Sequence, residues 1–257
     1  MTRGWEVYLE ALLNMALHLC QESLQETQKN YFLDKTPRYY QILPELNEVF
    51  PEANYIFLLR NPLAVFSSIL KTWMAPEKRY TEEPFRIYNH DLLTAPKKML
   101  EGIEMFGQRA LVIHYEGFVQ DAEKWTKDLC RHIGVEYQAQ IMDYGKHSQL
   151  KGKMGDTTGI HKNDRPVASY TDKWKEVFAS AAGQRQARSY LSALGTEILE
   201  KIGYPIEELL SELVNDISSQ PVKSTMESIK SMIDRSEALS NRGDLRALQL
   251  YCRKRCV

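Results

Sequence analysis

Between Gly4 and Gly102 the chain contains no glycine. A phosphate loop of the form GxxxxGK[ST] is absent from that stretch and from the remainder, which argues against a P-loop nucleotide kinase. Cysteine is scarce as well. Cys20, Cys130, Cys252 and Cys256 form no CxxC pair, and the last two have no histidine nearby. That pattern reads as reduced thiols in a cytoplasmic protein rather than a metal or disulfide framework. No apolar run approaches the ~18 residues that span a bilayer. The opening MTRGWEVYLE lacks the apolar core of a signal peptide, so neither membrane nor export is expected. A charge surplus is also missing: 33 basic residues face 34 acidic ones, for a net charge of -1. A general nucleic-acid binder carries a basic excess, so no nucleic-acid partner is expected, though a local basic pocket for a small anion stays open.

What is present is ordinary globular material, 43% apolar and 26% charged over 257 residues. That length suffices for one large domain, with or without a small appendage. Trp5, Leu9, Leu12, Leu13, Ala16, Leu17, Cys20 and Leu24 recur at helical spacing and predict one amphipathic helix over residues 5–29. YFLDK, ending at Lys35, reads as a short buried strand, and QILPELNEVF as a short helix. YIFLLR is apolar throughout, as a parallel strand buried on both faces would be. Asn61 then offers a cap and Pro62 a first helical residue, starting a helix that runs to about Trp73.

Residues 74–90 read as polar and irregular, TAPKKMLEGIEMFG as a helix closed by Gly107, and ALVIHYE as a second buried strand. Asp121 caps the next helix and Gly134 stops it. Residues 145–169 carry four glycines and five basic side chains without apolar periodicity, the composition of a long functional loop. DKWKEVF and QARSYLSALGTEILEKIGY are helical in pattern. The expected organisation is a main domain over 1–214, a linker at 215–225 and a helical tail at 226–257. Within the tail, EALSNRGDLRALQLYCRK is like the turn of a tetratricopeptide repeat, although a lone repeat could not bury its own face.

Strand–helix alternation with apolar strands gives the α/β class with a parallel sheet flanked by helices. Ligands in such folds sit at the carboxyl ends of strands. Lys35, Arg60 and Glu116 are each expected at such an end.

DKTPRYY, FPEANYIFLLRNPLAVFSSI and VIHYEGFVQDAEKWTKDLCRHIGV together resemble the sulfotransferases that use 3′-phosphoadenosine 5′-phosphosulfate (PAPS), in particular their bacterial and Golgi branches. The likeness covers about residues 31–180. It implies a P-loop NTPase-like sheet and transfer of a sulfonate from PAPS, leaving 3′,5′-bisphosphate (PAP), to an alcohol or amine on a small-molecule, glycan or peptide acceptor. In the family an arginine after the strand and a serine eight residues later hold the 3′-phosphate, and here those are Arg60 and Ser68. Chemistry agrees with that role: a guanidinium fork fits a phosphate bidentately, while a serine hydroxyl and free first-turn amides add donors aided by the helix dipole. By the same resemblance Lys35 neutralises charge on the bridging oxygen as the S–O bond breaks. Tyr115 contacts the adenine, and Lys162 and Arg165 belong to a segment that covers the cofactor, followed by Trp174. Glu116 reads as structural.

The chain departs from the family pattern in two places. The loop of the type Pro-[Lys/Arg]-Ser-Gly-Thr that cradles the 5′-phosphosulfate has no counterpart, so the chain is expected to lack roughly the first third of a family domain and to transfer sulfonate poorly by itself. The histidine that some branches carry two residues after the lysine is here Pro37. His90 and His161 are then the general-base candidates by residue type, and neither is singled out. The competing reading is a catalytically inactive PAP-binding or interaction protein on the same scaffold.

Overall fold

The computed structural model describes residues 4–143 and 165–213, together with Glu227 and Ser231. The expected linker, almost all of the expected tail and residues 144–164, with His161 and Lys162, lie outside the described residues.

Helix α1, Gly4–Thr27, forms where a helix was expected and ends two residues earlier; of its expected apolar stripe, Leu17 is 41% exposed. Residues 31–36, by contrast, form no strand, and Tyr31, Phe32 and Leu33 are exposed, Leu33 at 80%. The expected strand ending at Lys35 is therefore corrected: an apolar pentapeptide becomes a strand only where a neighbouring backbone completes its ladder, and none does here. A short helix α2, Leu43–Val49, follows, with Pro44 in its first turn.

Strand β1, Tyr55–Leu59, lies parallel to β2, Ala110–His114, with Tyr55 opposite Ala110 and Leu59 opposite His114. These two strands are the whole sheet among the described residues. Burial on both faces was expected for β1, but the strand alternates: Phe57 and Leu59 are buried, whereas Ile56 and Leu58 are 37% and 56% exposed. The period-two geometry of a strand sends Ile56 and Leu58 to the face opposite Phe57 and Leu59, and on that face Ile113 of β2, beside Leu58, is buried while the β1 side chains are not.

Helix α3, Pro62–Trp73, leaves β1 after the two-residue step Arg60-Asn61. Its inner face carries Leu63, Phe66 and Leu70, none of them accessible to solvent. Residues 74–90, expected to be irregular, contain a 3-10 turn at Pro76–Lys78 and helix α4, Glu83–Asn89, in which Pro84 occupies a first-turn position that tolerates a missing N–H. One π-helical turn, His90–Thr94, joins α4 to α5, Ala95–Phe106. Gly107 and Gly134 take positive φ of 53° and 76° and close the helices that precede them.

After β2 the chain enters α6, Tyr115–Gln120, and then α7, Ala122–Ile133, whose cap is the expected one: the Asp121 side chain accepts from the Lys124 N–H. Beyond the undescribed stretch, α8 (Trp174–Val177), α9 (Ala181–Leu194), α10 (Thr196–Lys201) and α11 (Ile206–Ser211) complete the described fold. The last long apolar pattern is thus split at Gly195 rather than continuous. Phe66 is the hub of the main core, with the Phe85, Phe178 and Tyr190 rings centred 5.1, 5.5 and 5.0 Å from its own. Tyr190 is buried, and its hydroxyl donates to the Leu92 carbonyl at 3.0 Å, so the polar end of this ring is satisfied. A second cluster, Tyr40, Leu43, Phe57, Ala95 and Phe106, packs α2 and α5 onto the sheet. The outcome is a helical fold around a small parallel sheet, with the carboxyl ends of both strands leading into helix starts.

Candidate functional site

Arg60 follows the last residue of β1, and Tyr115 is the first residue after β2. The parallel register brings these two positions side by side. The Arg60 guanidinium carbon lies 4.5 Å from the centroid of the Tyr115 ring, a cation–π arrangement that fixes the plane of the fork. Arg60 Nε is buried without a hydrogen-bond partner, and among the described residues the side chain forms no ion pair. A buried guanidinium N–H without an acceptor is costly, and an anionic oxygen is the group that satisfies it best.

Glu116, next to Tyr115, holds the two strand ends together. Its Oε1 accepts from the Asn61 N–H at 3.0 Å and its Oε2 from the Tyr204 hydroxyl at 2.6 Å. Both oxygens are thereby engaged, as the structural reading of this glutamate expected. Burial, followed by the bond to Glu116, pushes the Tyr204 phenol pKa far above its ordinary value, so the phenol remains a donor at neutral pH. The ring also meets His114 edge-on at 5.3 Å, while His114 Nε2 lies 2.9 Å from the Ile202 carbonyl oxygen.

The start of α3 needs a correction. Free first-turn amides were expected to serve an anion, but Pro62 has no N–H and the Asn61 side chain accepts from Leu63 N at 2.9 Å and from Ala64 N at 3.3 Å. The cap that starts the helix uses the donors that the anion was to have. What this helix still offers is its dipole and the Ser68 hydroxyl, which is exposed in its second turn. The neighbouring Ser67 is buried, and its hydroxyl donates back to the Ala64 carbonyl at 2.9 Å, a packing role.

Lys35 is exposed in the irregular segment, not at a strand end. Just after it the chain is tied down. Arg38 Nε and Nη2 donate to the two oxygens of Asp91 at 3.0 and 2.6 Å, and the Tyr40 hydroxyl donates to Asp91 Oδ1 at 2.8 Å. This clamp joins the segment after Lys35 to the π-helical turn that begins with His90. Burial is the largest influence on the His90 imidazole and holds its pKa below the ordinary value; the Arg38 charge acts in the same sense and the Asp91 carboxylate against it. Arg165 pairs with Asp143, and Trp174 is a buried core residue. The structure thus brings together Arg60 and Tyr115, with Ser68 two turns along the helix that follows. It leaves Lys35 and Arg165 outside their direct contacts. Sequence reasoning did not find the Arg38–Asp91–Tyr40 clamp; the charged pair is more than fifty positions apart, beyond any local pattern.

The Sulfotransferase family model matches residues 1–139, more than half of the chain and all of the elements from α1 to α7. The chain belongs to the sulfotransferase family. Nodulation protein NoeE of Sinorhizobium fredii (strain NBRC 101917 / NGR234) is 48% identical over 48 residues, which are 19% of this chain. The match spans 12% of that relative's length. Among solved structures, a sulfotransferase domain from the curacin biosynthetic pathway aligns with 72% of this chain and 66% of its own, at 20% identity and a TM-score of 0.47. No helix of this sulfotransferase-family chain, among the described residues, is long and apolar enough to cross a membrane.

Proposed function

We propose that the chain binds PAPS and transfers its sulfonate to an alcohol or amine acceptor, in the cytoplasm, releasing PAP. The observation that carries this reading is Arg60: a guanidinium at a strand end, oriented on an aromatic ring, with a buried N–H and no internal acceptor. Those features fit a phosphate. Arg60 and Ser68 would hold the 3′-phosphate, and Tyr115 would orient Arg60 and flank the adenine. Lys35 would supply positive charge at the 5′ side, with Lys162 and Arg165 as further phosphate contacts. PAPS supplies an activated sulfonate; the residues named here bind and orient it and balance its charge. The acceptor is a small molecule, glycan or peptide. The unit carrying this site is proposed to be residues 1–214.

A second reading, a PAP-binding protein without transferase activity, is favoured by one observation: Lys35 lies exposed in a segment with no regular structure, so the charge at the 5′ side is not fixed in place. Calorimetry with PAP and a radiolabelled sulfonate-transfer assay separate the readings. Binding with turnover supports transfer, binding without turnover supports the second reading, and the absence of binding overturns both.

A further inference from the structure

Glu116 lies within reach of Arg60 and is not paired with it. Its Oε1 accepts from the Asn61 N–H at 3.0 Å, which puts that oxygen within about 6 Å of the Arg60 Cα by covalent geometry alone. An arginine side chain spans such a distance, and a carboxylate is a partner that its fork fits bidentately. Arg60 Nε nevertheless stays buried without an acceptor, and among the described residues Arg60 forms no ion pair. The carboxylate has two neutral donors instead: the Asn61 N–H on Oε1 and the Tyr204 hydroxyl, at 2.6 Å, on Oε2. Tyr204, eighty-eight positions beyond Glu116, is delivered by a pinned turn. Its N–H donates to the Leu199 carbonyl at 2.8 Å, and the Ile202 carbonyl oxygen lies 2.9 Å from His114 Nε2. Between them Gly203 has a φ of 83°, and a Cβ there would come 2.6 Å from His114 Nε2, so glycine lets this turn sit on the end of β2. The Tyr204 phenol also feels the Arg60 charge, so phenol, carboxylate and guanidinium share one neighbourhood.

We infer that Tyr204 is a positioning residue of the anion site: by occupying Glu116 Oε2 it keeps this carboxylate off Arg60 and leaves the guanidinium fork for a phosphate. This rests on the reading that Arg60 receives the 3′-phosphate of PAP. Tyr204 acts through Glu116 and not on the ligand itself. Without the phenol hydroxyl, Oε2 loses its donor, while the Arg60 Nε–H still lacks an acceptor. The freed carboxylate then competes with the phosphate for the same fork. Reaching that fork draws Glu116 from its place between the strand ends, so the exchange costs stability as well as affinity.

The test is calorimetry with PAP on the full chain. Tyr204→Phe should weaken PAP binding about tenfold or more, the range for a competing bond to a charged group. Adding Glu116→Gln to that variant should bring affinity back to within about threefold of wild type, because a neutral amide competes weakly for a guanidinium. Mere loosening of the strand ends predicts no such rescue. Tyr190→Phe is the control: a hydroxyl of the main core is lost, and PAP affinity should stay at its wild-type value. In Tyr204→Phe alone, without ligand, the Arg60 Nε–H signal in NMR should gain the downfield shift of a guanidinium bonded to a carboxylate. Wild-type affinity in a folded Tyr204→Phe variant overturns the inference, as does a loss that Glu116→Gln fails to restore, or an Arg60 signal that Tyr204→Phe leaves unmoved. Absence of PAP binding by wild type overturns the 3′-phosphate reading, and the Arg60 signal then decides by itself whether Tyr204 keeps Glu116 off the guanidinium.

Discussion

The Arg60 guanidinium carbon stands 4.5 Å from the centre of the Tyr115 ring, and the two residues come from the ends of different strands. The contact depends on the β1–β2 register, which sets Leu59 opposite His114 and so places the following residues side by side. A cation is thereby held immediately beyond the carboxyl ends of the paired strands.

Replacing Arg60 should weaken PAP binding while leaving the fold intact, since the side chain has no internal ion pair to lose among the described residues. Arg60→Ala should cost about 1.5–3 kcal/mol of binding, the range for hydrogen bonds to a charged group. Arg60→Lys should recover only part of it, because an ammonium keeps the charge but not the fork. Isothermal calorimetry reads both; equal affinity of Arg60→Ala and wild type would remove Arg60 from the site.

Ser68 is exposed, so Ser68→Ala should leave thermal stability unchanged and reduce PAP affinity by about 0.5–1.5 kcal/mol. Ser67→Ala is the control. Its hydroxyl is buried against the Ala64 carbonyl, and its loss should change melting rather than binding. Calorimetry and thermal melts on both variants separate the two serines.

Tyr204→Phe removes the 2.6 Å bond to Glu116 and leaves one carboxylate oxygen unpaired beside the Asn61 N–H contact. About 1–3 kcal/mol of unfolding free energy should be lost, as for an unsatisfied buried polar group. A urea titration with unchanged midpoint would show that Glu116 does not depend on this partner.

Alkaline pH offers a check on the buried phenols. Burial raises the folded-state pKa of Tyr40, Tyr190 and Tyr204 above the ordinary value near 10. The unfolded chain therefore loses these protons first. The contribution is fully present below pH ~10 and is lost above it, with a slope of up to about 1.4 kcal/mol per pH unit for a single fully buried group such as Tyr190. Urea midpoints measured from pH 8 to 11.5 should hold steady and then fall; Tyr190→Phe should flatten the fall.

Gly102, on the buried face of α5, has no room for a methyl group. A Cβ there would lie 2.4 Å from Leu43 Cδ1 and 3.0 Å from Phe57 Cζ. Gly102→Ala should destabilise the chain by about 1–3 kcal/mol, as overpacking does, because the Leu43 side chain or the helix itself must shift. Denaturant unfolding measures it, and a wild-type midpoint would mean that Leu43 adapts freely.

The parts of the fold legible in the sequence are those decided by near neighbours. Asn61-Pro62 gives the start of α3, and Asp121 and Gly134 bracket α7, because capping and helix termination act over three or four residues. The strand-end placement of Arg60 and Glu116 is legible for the same reason, each lying one or two residues past an apolar strand. The failures are non-local. Whether 31–35 is a strand, or whether β1 is covered on both faces, depends on which backbones and helices arrive alongside, and an apolar run does not record that. The engagement of the α3 amides is not legible in composition, because it depends on the Asn61 side chain turning to accept from the Leu63 and Ala64 N–H groups. Helix α4 is hidden in the sequence because Pro84 and the polar residues around it have the composition of a loop, and only the fold puts the proline in a first turn.

The pairing of β1 with β2 also has a kinetic consequence. Tyr55 meets Ala110, fifty-five positions later, and between the two strands the chain runs through helices and short connections. Closing a loop of that length is entropically unfavourable until intervening helices shorten the gap, and such distant contacts slow folding. Helix formation in α3 and α5 shortens that gap. The Arg60–Tyr115 pair exists only in the zipped register, so it cannot form before the two strands pair.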